Sequence, residues 1–376
     1  MSHARRAVAC IVTLTAVLFA PALTAHATDS TAVANAAAYL SASPPQIAGT
    51  TPATGSGAWD SDPQFQFVTT EAVLAIAEAA QTGTSWSTSE AMDAVAATQN
   101  PQGQNPLAFL DLVKGFAATP GQAAKYVVLV GAPLGQDTAA LAATIGDPNP
   151  DGSFDSDLFF NNTLMAALAK KVLTGSVPAS TVAYIESKQQ AAGSWAYDAT
   201  ETTDPDIDTT GLAVQALIAG GVPQDDPVIT HALAWIAAQQ NADGTWSFVL
   251  GGDESAESTS RAVLAVAAAG YDPNSRCWRD TVYAAGVGQP FVGADEALVS
   301  LAHPDGSIAG PNVYSSAYAT GQAVQGLERS WLPVARATDV MCAPVTPVTT
   351  TPTTSSDPAA PQVVAAAVVA SPRFTG

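Results

Sequence analysis

The sequence predicts an all-α protein, an (α/α)6 toroid in which six helix-pair repeats form two concentric rings. Related segments recur along the 376-residue chain, with equivalent positions 41 to 62 residues apart. Each segment pairs an amphipathic helix with a helix that is apolar nearly all round, and a turn of the Gly-x-aromatic type joins the two. Repeats of this length are typical of stacked helical arrays.

The clearest repeat spans residues 181–221. Its first helix ends in Gln189-Gln190, a turn with Gly193 and Trp195 follows, and a second helix begins near Thr209. Residues 229–270 and 295–330 follow the same order, and looser copies precede them. The positions that we take as equivalent are Trp59, Gln104, Phe154, Trp195, Trp246 and Ile308.

The two helices of a repeat differ in their apolar pattern. Ile229, Leu233 and Ile236 form one stripe, which predicts a half-buried outer helix. Residues 209–219 are apolar on all sides, which predicts a fully buried inner helix. Asp208 and Ser258 stand where the inner helices begin, so we expect them to act as N-caps.

The two ends of the chain indicate export. Residues 1–27 resemble a signal peptide, with Arg5 and Arg6, an apolar run and an Ala25-His26-Ala27 cleavage pattern. The alternative is a membrane anchor, for which the run is short. Residues 28–342 would form the toroid, and residues 343–376 a Pro/Thr-rich stalk. The ending Phe374-Thr375-Gly376 resembles a degenerate sortase motif, which predicts cell-wall attachment; the alternative is a plain secreted tail.

In an exported protein, Cys277 and Cys342 could form a disulfide, and two free buried thiols are the alternative. The formal net charge of −20 disfavours nucleic acid, anionic membrane surfaces and acidic polysaccharides as partners. After residues 1–27 only His231 and His303 remain, which excludes a multi-histidine metal centre. A catalytic triad with one histidine stays open. We expect no cofactor.

The Gln-Gln pairs before Trp195 and Trp246 resemble the QW-type repeats of the prenyltransferase and squalene-cyclase toroid superfamily. The resemblance covers roughly residues 30–336 and is nearest to secreted bacterial toroid proteins related to the cobalamin carriers transcobalamin and intrinsic factor. It implies the toroid fold more strongly than any one activity. The segments that carry it are residues 122–130, 135–145, 151–154, 208–217 and 258–270.

One acidic motif has several interpretations. Asp206-Ile207-Asp208-Thr209 resembles the Asp-x-Asp-Asp motif of class II terpene cyclases, with Asp208 at the proton donor and Thr209 in place of the last aspartate. Asp208 also matches a cobalamin-contacting aspartate of the carriers. Pro205 stands where some carriers have a cobalt-ligating histidine. The plain alternative is that Asp208 only caps a helix.

A second acidic segment resembles the first nine positions of an EF-hand loop. Asp147, Asn149, Asp151 and Asp155 supply the oxygen ligands, and a glycine stands at position 6. Position 12 is Leu158, which cannot ligate calcium. The alternative is a plain acidic turn of the repeat, and no other metal site is predicted.

The sequence favours a non-enzymatic protein that binds a small amphipathic ligand, such as a corrinoid, at the mouth of the ring. The alternatives are a surface scaffold without a small ligand, or a degenerate enzyme of the terpene-cyclase or prenyltransferase type that uses Asp206 and Asp208. The aromatic members of the predicted site have core packing as their alternative role, and such turn residues more often pack than bind. The predicted ligand-binding residues are Asp208, Trp195, Tyr197, Trp246, Phe248, Ser258, Tyr314 and Tyr318.

Overall fold

A computed structural model describes residues 30–42, 66–83, 85–99, 105–154, 159–311, 316–333 and 335–336. Its α-helices are α1 Ser30–Ala42, α2 Gln66–Ala79, α3 Thr88–Ala97, α4 Pro106–Phe116, α5 Pro120–Tyr126, α6 Ala132–Leu134, α7 Ala139–Ile145, α8 Phe160–Thr174, α9 Ala179–Ser187, α10 Ile207–Ala219, α11 Pro227–Ala238, α12 Ala256–Ala268, α13 Arg276–Val282, α14 Ala294–Ser300 and α15 Ser316–Glu328.

Shorter elements complete the description. A π-helical turn, Val127–Gly131, joins α5 to α6, and a 3-10 turn, Ala284–Gly286, follows α13. Two antiparallel strand pairs are β1 Trp246–Ser247 with β2 Glu254–Ser255, and β3 Ser330–Trp331 with β4 Ala335–Arg336.

The helices form two rings. The inner ring consists of α2, α5 with its π-helical turn, α8, α10, α12 and α15, and each member packs against the next until α15 packs against α2. The outer helices α1, α3, α7, α9, α11 and α14 each pack against at least one inner helix. This arrangement confirms the predicted all-α toroid with six helix pairs.

The aromatic turn fixes each inner helix to the turn before it. The Trp195 backbone N–H donates to Thr210 Oγ1 at 3.1 Å, and its indole Nε1 donates to the Ile185 carbonyl of α9 at 2.8 Å. Both indole and backbone are thereby paired inside the core. The same backbone bond recurs between Phe154 and Thr163, Trp246 and Thr259, and Ile308 and Thr320.

The glycines of these turns show how the ring closes. Gly193 has a φ of +96°, and a Cβ there would lie 2.5 Å from the His231 carbonyl of α11. Gly306 has a φ of +92°, and its Cβ would lie 2.6 Å from the Asn35 carbonyl of α1. Only glycine fits this close approach. The last turn therefore docks on the first helix as the earlier turns dock on theirs.

The predicted burial pattern is confirmed, but the predicted caps are wrong. Ile229, Leu233 and Ile236 of α11 are buried on one face, and α10 is buried nearly all round. The N-caps are Asp206, which accepts from Thr209 N–H at 2.6 Å, and Ser255, which accepts from Ser258 N–H at 3.0 Å. Because the helices begin earlier than expected, Asp208 and Ser258 lie within their first turns instead.

The two ends of the ring differ. We call the end where α8, α10, α12 and α15 begin the mouth, and the opposite end the base. At the base, Arg329 Nη2 lies 2.9 Å from Asp295, and its Nη1 lies 3.6 Å from Asp272. The backbone N–H of buried Leu332 donates to Gln215 Oε1 of α10 at 3.0 Å, while β3 packs against α12 and α15. This segment therefore bridges three inner helices.

Several sequence predictions lie outside the described residues. Those are the signal peptide 1–27, Cys342, the stalk 343–376, Tyr314, Trp59 and Gln104. Cys277 lies on α13, and its pairing with Cys342 stays a prediction. In the described part of the chain, no helix is both long and apolar enough to cross a membrane.

Candidate functional site

Polar side chains from neighbouring inner helices meet inside the ring at the mouth. Asp208 is the second residue of α10, Glu257 the second of α12 and Tyr318 the third of α15. These three side chains are only half-buried, whereas the residues that follow them in each helix are almost all buried. Equivalent positions on adjacent helices therefore bring the three groups to the same space.

The carboxyl groups of Asp206 and Asp208 have raised pKa values. Burial, and then the charge of Asp208, raise the pKa of Asp206 to about 7, although the Thr209 N–H opposes the rise. Burial also raises the pKa of Asp208, which the Ser258 hydroxyl and the Arg261 charge lower in part. The Ser258 hydroxyl lies beside Asp208 without meeting the geometry of a hydrogen bond. Desolvation thus favours neutral carboxylic acids here.

A second polar layer lies next to these acids and joins opposite parts of the ring. Glu71 of α2 is fully buried, and its Oε1 lies 3.2 Å from Arg261 Nη2 of α12. Gln322 Nε2 of α15 donates to the same oxygen at 3.2 Å, and Gln325 Nε2 donates to Glu71 Oε2. Gln322 Nε2 also lies 2.8 Å from the Tyr318 hydroxyl. The network therefore connects α2, α12 and α15.

The charges of this network also act on the pKa values of Lys125 and Tyr318. Burial lowers the pKa of Lys125 on α5 to about 8, while the Glu71 carboxylate acts in the opposite direction. Burial and the charge of Glu71 raise the pKa of the Tyr318 hydroxyl, so the phenol stays neutral at physiological pH. Burial also raises the pKa of Glu257. The ring interior thus holds several ionisable groups whose pKa values are shifted by partial or full burial.

Many polar atoms inside the ring lack a hydrogen-bond partner among the described residues. Buried polar atoms are normally paired, and an unpaired one costs about 1–3 kcal/mol. A group of such atoms at one place is typical of a site built to hold a polar ligand or to transfer protons. The atoms are Asp206 Oδ2, Asp208 Oδ1, Thr209 Oγ1, Ser258 Oγ, Arg261 Nη1, Gln322 Oε1 and Gln325 Oε1.

The aromatic residues predicted for the site separate into two groups. Trp195 and Trp246 are 0% exposed, so neither indole has a surface that a ligand could touch. Their packing role follows from the turn geometry described above. Tyr197 and Phe248, two residues further along each turn, are exposed at the mouth. Tyr318 faces the interior, and Tyr314 lies outside the described residues.

Exposed apolar side chains surround part of the mouth. We call Tyr197, Phe248, Val249 and Leu250 the apolar rim; Leu250 is 80% exposed and the others 41–44%. The Phe248 carbonyl accepts from the Ile207 N–H at 3.2 Å. Since Ile207 stands between Asp206 and Asp208, the rim is directly joined to the acidic segment.

Three residues of the EF-hand-like segment bond to other protein groups. Asp147 pairs with Lys170 at 3.3 Å, and Asp151 Oδ1 accepts from the N–H and hydroxyl of Ser153. Asn149 uses its amide N–H to donate to the Ser153 hydroxyl at 3.0 Å. Asp155 lies outside the described residues. In the described ranges, no three His, Cys, Asp or Glu side chains are grouped to hold a metal ion.

Sequence reasoning missed the second polar layer. Glu71, Lys125, Arg261, Gln322 and Gln325 all lie on inner-ring helices whose other residues are mostly apolar. Charged residues within otherwise apolar helices could have indicated this layer, because a buried charge requires a partner. The partner could not be read from the sequence, since Glu71 and Arg261 are 190 positions apart.

Comparison with known proteins finds one family that matches part of the chain. The family described as the squalene-hopene cyclase C-terminal domain matches residues 161–286, a segment that contains Asp206, Asp208 and Arg261. None of the curated proteins matches the chain. The comparisons lend the expected relation to transcobalamin, and with it the corrinoid ligand, no support.

Solved structures of similar shape include two forms of the type II terpene cyclase MstE from Scytonema. The variant in complex with merosterolic acid A is 17% identical, with a TM-score of 0.49 over 80% of this chain and 96% of that one. The apo form is 17% identical, with a TM-score of 0.47 over 79% and 96%. A protein from Actinoplanes is 15% identical, with a TM-score of 0.46 over 80% and 98%.

Proposed function

We propose that this protein is an enzyme of the type II terpene-cyclase class, in which Asp208 donates a proton to an alkene of an isoprenoid chain. The observation that carries the proposal is the position of Asp208: a desolvated carboxyl group with a raised pKa and an unpartnered oxygen, facing the ring interior. The match of residues 161–286 to a squalene-hopene cyclase domain supports the same reaction class.

The reaction requires little from the protein beyond an acid and a shaped site. The Asp208 proton adds to one carbon of the C=C bond, whose π electrons form the new C–H bond and leave a carbocation at the other carbon. A second alkene of the same chain attacks this cation and closes a ring. The final cation loses a proton or adds water, and solvent returns a proton to Asp208. A raised pKa favours the protonated form of the acid that this step requires.

The apolar rim supports an isoprenoid chain as the substrate. Tyr197, Phe248 and Leu250 offer hydrocarbon surface next to the acid, and burial of such surface contributes about 25 cal/mol per Å². The surrounding loop residues Glu201 and Asp204 are exposed and acidic. Their charges favour a neutral chain over an anionic lipid surface.

Binding without turnover is the second candidate. Thr209 replaces one aspartate of the acid motif, and the unpartnered Gln322 and Gln325 oxygens make the interior polar. A polar interior suits an amphipathic ligand that is held by hydrogen bonds. The two candidates share one site and differ only in whether the proton is transferred.

The decisive experiment incubates the full chain with squalene and with geranylgeraniol in D2O, followed by mass spectrometry of the extracted products. Turnover by Asp208 gives cyclised products with one new C–D bond. Asp208→Asn is expected to lower the rate at least about a hundredfold, the usual scale for loss of a general acid. Asp204→Asn, an exposed change four residues earlier, is the matched control and should leave the rate unchanged.

Two outcomes contradict the cyclase proposal. A folded wild-type chain that binds either compound and yields no cyclised product would favour binding alone. Equal turnover by wild type and Asp208→Asn would assign the acid to another residue.

We further propose that the protein is exported after cleavage before Thr28, and that Cys277 pairs with Cys342. Both proposals rest on the sequence signals at residues 1–27 and on the even pair of cysteines that remains. The N-terminal sequence of the secreted protein, together with its mass before and after thiol alkylation, tests them. A chain that begins at Met1, or one that alkylates at two thiols without reduction, would overturn them.

A further inference from the structure

Arg261 pairs with one carboxyl group of the ring interior, Glu71, and its charge acts on a second, Asp208. Its Nη2 is 3.2 Å from Glu71 Oε1, and its charge also acts on Asp208, whose pKa it lowers. Arg261 is 9% exposed, and its Nη1 has no hydrogen-bond partner among the described residues. A buried guanidinium must be paired with a carboxylate to be stable. The identity of that partner decides how strongly Asp208 holds its proton.

The two carboxyl groups are treated differently by their surroundings. Glu71 accepts from Arg261, Gln322 and Gln325, so both of its oxygens have donors. Asp208 has the Ser258 hydroxyl beside it, and its Oδ1 has no partner in the described part of the chain. Two acids of one site whose hydrogen-bonding environments differ in this way are typical of sites that use one as a proton donor.

We propose that Glu71 is a positioning residue that holds Arg261 away from Asp208 and thereby keeps Asp208 protonated. The inference rests on the proposed function, because it explains how the proton donor is kept ready. Glu71 itself does not touch the reacting atoms. It acts through Arg261, which would otherwise form the ion pair with Asp208 and stabilise the charged carboxylate.

The other groups around Asp208 fit this assignment. On its own segment stands Asp206, and on α12 stand Glu257 and Ser258. Tyr318 of α15 is a neutral phenol, and Lys125 of α5 acts electrostatically with Glu71 and Arg261. Arg261 is therefore the cation whose movement changes the charge state of Asp208 most directly.

The test is a titration of Asp208 in the full chain, followed by 13C NMR of labelled aspartate carboxyl carbons, with the Asp208 signal assigned by its absence from Asp208→Asn. In Glu71→Gln, which keeps the size of the side chain, Arg261 loses its carboxylate and turns to Asp208. The titration of Asp208 is expected to move to lower pH by about one pH unit, a tenfold loss of proton affinity. Glu78→Gln, a change of another buried glutamate on α2, is the matched control and should not move it.

A double variant tests the role of Arg261 and covers the case in which Glu71→Gln does not fold. Glu71→Gln with Arg261→Met leaves neither charge of the pair buried, and Asp208 should then titrate at or above the wild-type pH. Circular dichroism verifies that each variant is folded. An unchanged Asp208 titration in folded Glu71→Gln, or a lower one in the double variant, overturns the inference.

The titration needs no substrate, so it separates this inference from the proposed function. If Asp208 shifts as expected while no substrate is cyclised, the positioning role stands and the cyclase proposal fails. If the wild type cyclises its substrate and Glu71→Gln loses about tenfold at neutral pH, with recovery at lower pH, both are supported. A loss of rate that is equal at every pH would indicate structural damage and would contradict the positioning role.

Discussion

The aromatic turns and the first turns of the inner helices are neighbours in every repeat, yet they behave in opposite ways. Phe154, Trp195, Trp246 and Ile308 make the same backbone bond to a threonine, at 2.9–3.2 Å. The inner-helix positions that face the ring interior are instead different in each repeat, with Asp208, Glu257 and Tyr318. Positions that close the ring are constrained by packing. Positions that face the interior are free to differ and can carry chemistry.

The largest loss of stability is expected at the buried residues of the aromatic turns. Trp246→Ala removes a fully buried indole and its 2.8 Å bond to the Ile236 carbonyl. We expect the free energy of unfolding to fall by about 3–5 kcal/mol, measured by urea denaturation. Phe248→Ala, at a side chain that is 42% exposed, is the control and should cost less than about 1 kcal/mol. Similar losses of stability in Trp246→Ala and Phe248→Ala would contradict the structural role assigned to the buried turn residues.

The next effect is a pH dependence of stability that arises from Asp206, which ends the turn after Trp195 and caps α10. Its pKa of about 7 when folded exceeds the unfolded value of about 3.9, so the folded state binds the proton more tightly. Stability therefore falls as the pH rises from about 4 to about 7, by at most about 4 kcal/mol from this group, and stays lower above that range. Asp206→Asn keeps the N-cap oxygen and should remove this part of the decline.

Urea denaturation at pH 4, 5, 6, 7 and 8 checks this expectation. The difference in unfolding free energy between Asp206→Asn and wild type should grow in favour of the variant as the pH rises. A difference that is constant over the whole range would mean that Asp206 is ionised in the folded protein. Asp204→Asn, at an exposed position in the same segment, should follow the wild-type profile.

A smaller effect is expected at the apolar rim. Leu250→Asp places a charge where the proposed hydrocarbon chain would lie, and it should weaken binding of geranylgeraniol by about tenfold, or 1.4 kcal/mol. Val287→Asp is the matched control, because Val287 is also exposed, at 57%, but lies between α13 and α14. Isothermal titration calorimetry measures both. Equal losses in the two variants would remove the rim from the binding site.

The smallest effect distinguishes a cap from its neighbour. Ser255 accepts from the Ser258 N–H at 3.0 Å, so Ser255→Ala should cost about 1 kcal/mol of stability. The Ser258 hydroxyl has no hydrogen-bond partner in the described part of the chain, so Ser258→Ala should cost less. Thermal unfolding followed by circular dichroism measures both. A greater loss of stability in Ser258→Ala than in Ser255→Ala would contradict the assignment of Ser255 as the N-cap.

The fold could be predicted from the sequence because the repeat, the apolar stripes and the turn glycines all indicate the same architecture. The acidic segment was also recognised, but its cap was placed at Asp208 rather than Asp206, since the exact first residue of a helix depends on the preceding loop. The role of Trp195 was left open between packing and binding, which only burial decides. The network of Glu71 with Arg261 was not found, because it depends on helices brought together by ring closure.

The strand pair β3 and β4 determines from which end of the ring the described part of the chain leaves. Arg336, the last described residue, lies on a strand paired with β3 at the base, opposite the mouth. The Pro/Thr-rich residues follow it in the sequence. If those residues hold the protein to a surface, the mouth would open outward, and a ligand would arrive from the surrounding medium rather than from the layer beneath.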